Sequence, residues 1–548
     1  MIDSQIFTCV KNANSHTYRF PWRNFTHLLK DRAEHQPDKP ALIFCDCDTD
    51  ARTVITYSKF ERLTASLVGL LHREYGIRCG DCVGLALPNC AEIPLLTLAL
   101  FRLGATSVPL DLAKDVPERK RYKLQNAGAR LLVVLPEHAE IQRRALPDIQ
   151  IATTEQLFVA DGYDAADIEP EWSGDPEGEQ HTGIVLYTSG TTGHPKGACI
   201  TRQSLTSNAD GIIRWLGFDA RERLNLVLPL HHINSTTFSI TSFMVGGSLV
   251  LNSRYSVSAF WRIISRERAT SASIVPTIMA DLLARADDFE REGYDISPLK
   301  KIMIGSAPVQ PNIACQFVDR FGVRLVQGYG STEVSLRVTG VPPDLPDDQY
   351  RDVLEQNAIG VELANNNIRI DGGRNEGDVG EILVRGPVVA NGYLNQPKDT
   401  AEVFCNGWFR SGDMGYYRDM YNHRFYFMHS RKKEIIIKGG VNISPIAVEN
   451  ALLDACPELD AVYVIGLRHS RWGEDVCAAA IFRSGIDQSE AAQDILRRGQ
   501  SGQIPGLSTY ETPSRIIPIT PEDRPLTSTS KVQRSALQEI IQNQIDDT

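Results

Sequence analysis

Tyr187-Thr188-Ser189-Gly190-Thr191-Thr192-Gly193-His194-Pro195-Lys196-Gly197 follows a β-branched run at residues 183–186. Three glycines let this backbone approach an anion closely and turn its amides inward. Thr188, Ser189, Thr191 and Thr192 add hydroxyl donors, and Lys196 adds a point charge. Together they read as a phosphate cradle. It is not the G-x-x-x-x-G-K-[ST] loop of phosphotransferases, because Gly197 follows Lys196 and the spacing from Gly190 differs.

The cradle sits in an alternating chain. Residues 224–229, 247–251, 272–276, 301–305 and 323–327 read as strands, and 277–286 and 311–321 as helices. Such alternation predicts an α/β fold with largely parallel sheets, whose ligands bind in loops at the carboxyl ends of strands. After about residue 355 the texture changes. Short strand signals at 368–370, 380–385 and 425–428 predict a small β-rich subdomain closing the large unit. A basic run, Arg431-Lys432-Lys433, precedes a tail long enough for a further domain. The helix at 445–455 and strand at 461–466 give that tail an α+β character. Residues 161–180 read as an exposed acidic connector.

Composition bounds the function. The 548 residues suggest about three to four folding units. A net charge of −11 argues against a nucleic-acid coat. No stretch is long and apolar enough for a membrane span, and residues 1–23 carry no secretory signal pattern. The eleven scattered cysteines suit reduced thiols in a cytoplasm. Cys79 and Cys82 form a C-x-x-C, but no matching pair completes a zinc site.

Further motifs follow in order. Tyr329-Gly330-Ser331-Thr332-Glu333 succeeds a strand, and Trp408-Phe409-Arg410-Ser411-Gly412-Asp413 ends on a carboxylate suited to vicinal hydroxyls. Leu228 to Asn234 contains His231 and His232, and Gly305-Ser306-Ala307-Pro308 follows the strand at 301–305. Pro525 to Arg534 contains Lys531. This set, spread from Phe25 to Leu537, resembles the adenylate-forming superfamily of acyl-CoA synthetases, carrier-protein adenylation domains and firefly-type luciferases.

The resemblance implies a large N-terminal domain over residues 1–430, a hinge at 431–433 pivoting on Lys433, and a small mobile α+β C-terminal domain over 434–548. It implies ATP, Mg²⁺ and coenzyme A as cofactors, or a carrier-protein phosphopantetheine in place of CoA. The cradle, Thr188 through Gly193 with Lys196, would hold the phosphates. Tyr329 with Gly330 would meet adenine, Thr332 the α-phosphate, Glu333 the magnesium, and Asp413 and Arg431 the nucleotide. Lys531 would stabilise the charge between carboxylate and α-phosphate. Thr188, Glu333 and His232 complete the catalytic set, with His232 beside the acyl carboxylate. Gly305, Ser306 and Ala307 would wall the acyl pocket. Gly439 and Gly440 would line the thiol tunnel, and Trp472 would stack on the CoA adenine. The chain departs from the family pattern at Ser430 and Ser530, both glycine in that pattern. The acid remains open among aryl, fatty, short-chain and β-amino acids.

Overall fold

The strand Lys301–Gly305 lies inside a parallel run, with Met303 opposite Ser273 on one side and Val326 on the other. Ile302, Met303 and Ile304 are all fully buried, as expected for a strand covered on both faces. Arg223–Leu226, Ser248–Asn252 and Pro40–Cys45 continue the run in parallel, and Arg52–Thr56 closes the edge antiparallel. Two strands are shorter than the sequence suggests. Ser271–Ile274 stops early because Pro276 opens the helix Pro276–Ala284, where its missing N–H costs no hydrogen bond. Arg223–Leu226 gives way to a loop that pairs with Asn89, which donates to the Leu228 carbonyl and accepts from the Leu230 amide. The computed structural model describes residues 18–158, 180–188, 195–526 and 532–546.

On its other flank Arg324–Tyr329 pairs antiparallel with Thr339–Gly340. Ala358–Glu362, His423–Arg431, Trp408–Met420, Gly380–Arg385 and Asn367–Ile370 extend from there, all antiparallel. The β-rich region expected after residue 355 is therefore hydrogen-bonded onto the large sheet, which has 14 strands among the described residues. A second sheet, with six strands among the described residues, ends in the antiparallel pair Thr182–Thr188 and Lys196–Thr201. Helices Glu92–Leu103, Arg202–Leu216 and Ile233–Val245 share one core with residues of both sheets, including Leu98, Leu205, Phe238, Ile184 and Leu226. Every residue from Ile233 to Met244 is buried. The hydroxyls of Ser239 and Thr241 donate back to carbonyls four residues earlier, which satisfies them in that apolar setting.

A third sheet, with five strands among the described residues, begins at Ile436, separated by residues 432–435 from the end of His423–Arg431. One face packs Val448, Leu452 and Ile495 from helices Pro445–Ala455 and Gln488–Gln500. The other face packs Leu537 and Ile541 of the helix Arg534–Asp546. All cysteines among the described residues are free, and no described helix is long and apolar enough to cross a membrane.

Candidate active site

Thr188 ends its strand opposite Lys196, and its hydroxyl donates to the Lys196 carbonyl at 3.4 Å. Ser189, Gly190, Thr191, Thr192 and Gly193 lie outside the described residues. Lys196, read from the sequence as part of the cradle, is ion-paired with Asp399 at 2.5 Å and stands 5.4 Å from the Tyr393 ring centre. Asp399 sits in the first turn of Pro397–Val403, where the helix dipole favours an anion. A half-buried ammonium without such a partner would be costly.

The loop after Arg324–Tyr329 folds back on itself. The Leu336 amide donates to Ser331 O at 3.2 Å, and the Val338 amide to Tyr329 O at 2.8 Å. A Cβ on Gly330 would overlap the Leu336 carbonyl, so this turn admits only glycine there. Ser335 and Leu336 have φ of 59° and 127°, an arrangement that costs non-glycine residues on the order of 1–3 kcal/mol each. Asn208 holds them in place. Its Nδ2 donates to the Val334 and Arg337 carbonyls at 3.0 and 2.6 Å, and its Oδ1 accepts from the Arg337 amide at 3.2 Å.

This loop presents Tyr329, Thr332 and Glu333. The Tyr329 hydroxyl donates to Asp413 Oδ2 at 2.8 Å. Burial, reinforced by the Asp413 charge, pushes that phenol well above its ordinary pKa, so it remains a donor. Asp413 faces Arg431 across an antiparallel pair, with Oδ1 3.3 Å from Arg431 Nε. Its carboxylate, in a residue only 7% exposed, is thus anchored from two sides. Ser430 lies inside the extended strand, at no left-handed position, so a side chain there does not strain the backbone, although its buried Oγ has no hydrogen-bond partner.

Glu333 Oε1 accepts from the Tyr393 hydroxyl at 2.9 Å. Burial and the Glu333 charge push the Tyr393 phenol up, keeping the proton on it. Among the described residues no lysine or arginine ion-pairs with Glu333. A half-buried carboxylate with no cationic partner fits a hard divalent cation. Tyr393 therefore bridges Glu333 and Lys196, a link absent from every motif read in the sequence. Its only local sign was Gly392-Tyr393, a small residue before an aromatic.

His232 caps the helix Ile233–Val245, its ring 4.3 Å from that of His231. His231 Nε2 lies 3.5 Å from Asp111 Oδ2, and one ligand atom from each of Asp111, His231 and His232 falls within 4.8 Å of the others. Gly305 ends its strand opposite Gly328, and Ser306 follows with φ 71°. Each of these groups lies at or just beyond the carboxyl end of a parallel strand.

In the third sheet's unit, Gly439 and Gly440 turn between Ile436–Lys438 and Val441–Ile443 with φ of 56° and 86°. A Cβ on Gly439 would stand 2.5 Å from Tyr510 Oη and 2.9 Å from Trp472 Cε3. Trp472 thus packs on the glycine turn, edge-on to Tyr510 at 6.3 Å. Lys433 is exposed, just past the end of His423–Arg431. Lys531 and Ser530 lie outside the described residues, but the segment's base is fixed. Leu526 bridges to Val532, and Gln533 N donates to Pro525 O at 2.7 Å. Lys114 Nζ donates to the Leu526 carbonyl, three residues along from Asp111.

The family model described as AMP-binding enzyme matches residues 29–394. The chain belongs to the AMP-binding enzyme family. This AMP-binding enzyme is 34% identical to a feruloyl-CoA synthase of an Amycolatopsis species, over 83% of this chain and 89% of that one. It is 29% identical to the sulfoacetate–CoA ligase of Cupriavidus necator, over 93% and 96%. Among solved structures it resembles the o-succinylbenzoate coenzyme A synthetase of Bacillus subtilis in complex with ATP and magnesium. The TM-score is 0.78 and the identity 25%, covering 93% of this chain and 99% of that one.

Proposed function

We propose that this AMP-binding enzyme is an acid–CoA ligase working in two steps. A carboxylate oxygen attacks the α-phosphorus of ATP, and pyrophosphate leaves. The CoA thiolate then attacks the acyl carbon, and AMP leaves. The observation that carries the reading is the grouping of Tyr329, Asp413 and Glu333. The first two are hydrogen-bonded together, and Glu333 leaves the same loop with Oε1 accepting from the Tyr393 hydroxyl.

In this reading the Tyr329 ring packs on adenine and Asp413, steadied by Arg431, accepts the ribose hydroxyls. Thr188 and the hairpin after it, with Thr332, hold the phosphates. Glu333, oriented by Tyr393, would hold Mg²⁺, which neutralises phosphate charge when bound. Lys196 exchanges Asp399 for phosphate or steadies the hairpin through it. Lys531 offsets repulsion between the attacking carboxylate and the α-phosphate. The units 1–430 and 434–548 turn about Lys433 between the steps, so that Gly439 and Gly440 replace Lys531 beside the adenylate. His232, Gly305, Ser306 and Ala307 bound the acyl end.

The relatives' names support CoA as acceptor over a carrier protein, since each ends in a CoA thioester. Their acids differ widely, from ferulate and sulfoacetate to indoleacetate and long-chain fatty acids. The free cysteines suit a reducing, cytoplasmic setting. The test is pyrophosphate release from MgATP across a panel of carboxylic acids, with and without CoA, beside Lys531→Ala. Acid-dependent pyrophosphate lost in the variant, with acyl-CoA in the same tube, is the expected result. ADP and phosphate instead would overturn the reading.

A further inference from the structure

Arg337 heads the fully buried side chains in size, at 1% exposure. Its Nη1 donates to the Gly328 carbonyl. Its Nε and Nη2 are buried without a hydrogen-bond partner, and no carboxylate ion-pairs with it among the described residues. Burial pushes its pKa down only to about 10, so the group stays cationic at neutral pH. An unpaired charge at this depth is strongly unfavourable. A single bond to one carbonyl is a poor return for that, and a smaller neutral donor would serve as well.

The two idle nitrogens are not a random pair. Nε–H and Nη2–H lie side by side on one edge of the guanidinium, the edge that meets both oxygens of a carboxylate. The location is equally specific. A Cβ on Gly305 would overlap Nη1 and stand 2.8 Å from Nη2, and a Cβ on Gly328 would stand 3.1 Å from Arg337 Cδ. The guanidinium therefore lies along Gly305 and Gly328, paired neighbours at the carboxyl ends of adjacent strands. Ser306 and Ala307 begin there. The loop that presents Tyr329, Thr332 and Glu333 also delivers Arg337, through the left-handed Ser335 and Leu336 that Asn208 holds in place.

We propose that Arg337 is the specificity residue at the closed end of the acyl pocket, and that its Nε–Nη2 edge binds a second anionic group, a carboxylate or sulfonate, on the acid. The proposal rests on the ligase reading and on Gly305 to Ala307 as the pocket wall. It narrows the substrate to acids carrying an anion at the end remote from the carboxyl that is activated.

The experiment measures pyrophosphate release by the wild-type chain for matched pairs of acids. Each aliphatic or aromatic diacid or sulfo-acid of graded length is set beside its neutral mono-amide or mono-ester. For at least one length, kcat/KM for the anionic member should exceed its neutral partner by about 100-fold or more. Arg337→Met should bring that acid down to the level of the neutral one while leaving KM for MgATP unchanged. Neutral acids turned over as well as their anionic partners would overturn the proposal, leaving the ligase reading intact and Arg337 a structural residue. Turnover of anionic acids that survives in Arg337→Met would overturn it too. Absence of pyrophosphate with every acid would sink the ligase reading and the proposal together. The wild-type comparison can overturn the proposal even where the variant does not fold.

Discussion

Tyr393 carries a consequence that no motif announced. Its hydroxyl fixes one oxygen of Glu333, and groups that orient a metal-binding carboxylate commonly govern affinity. Tyr393→Phe should raise the Mg²⁺ concentration needed for half-maximal pyrophosphate release by about tenfold or more, with the KM for acid unchanged. A magnesium titration of initial rates checks this. Tyr329→Phe keeps the ring and removes the donor to Asp413, a bond to a charged group worth about 1.5–3 kcal/mol. The KM for ATP should rise by about tenfold or more, and steady-state kinetics at saturating acid read it directly. Glu222 gives a pH effect. Burial raises its carboxyl pKa, although the Thr270 and Ser271 hydroxyls donate to it. A raised carboxyl pKa means the folded state binds the proton more tightly than the unfolded one. This group therefore opposes folding above the ordinary carboxylate range and ceases to do so below it. Glu222→Gln should stabilise the chain at neutral pH and lose that advantage as the pH falls through the carboxylate range. Thermal unfolding at a series of pH values shows either outcome.

At the scale of elements, the helix Arg534–Asp546 owes its place to its first residue. Arg534 binds Glu449 through two nitrogens, donates to Val464 O at 2.9 Å and lies 3.1 Å from Glu434. Glu449 also accepts from the Val464 amide at 2.6 Å, so helix, strand and neighbouring helix meet at one buried ion pair. The pair lies a few residues beyond the Lys531 segment, whose base is further pinned by Gln533 to Pro525. Arg534→Met would strand Glu449 without its partner, costing about 3–5 kcal/mol. Hydrogen exchange across Arg534–Asp546 should show the loss. Arg534→Met combined with Glu449→Gln should recover part of it, because the stranded charge is gone.

At the scale of the whole molecule, two sheet-bearing units meet across residues 432–435, with Ser444 Oγ donating to His429 O and Lys114 reaching Leu526. If the units turn about Lys433, fixing its φ with Lys433→Pro should uncouple the half-reactions. One half-reaction should persist in single turnover while steady-state acyl-CoA formation falls steeply. Equal loss of both would speak for damaged folding, and unchanged turnover would remove the hinge from the mechanism.

The sequence by itself determined the α/β class, the strands such as Lys301–Gly305, the helices such as Pro311–Phe321, and the family motifs. These are local matters: β-branched runs, helix-starting prolines and glycine turns are set by neighbours along the chain. Only the tertiary structure decided which groups meet. It turned Lys196 toward Asp399, placed Tyr393 between Lys196 and Glu333, and joined the late β-rich strands to the large sheet. It also buried Arg337 between Gly305 and Gly328 with Nε and Nη2 unpartnered. Asp399 is far from Lys196 in sequence, as Tyr393 is from Glu333. Pairings across such separations depend on strand order and on which face each side chain takes, and the pattern within one segment encodes neither.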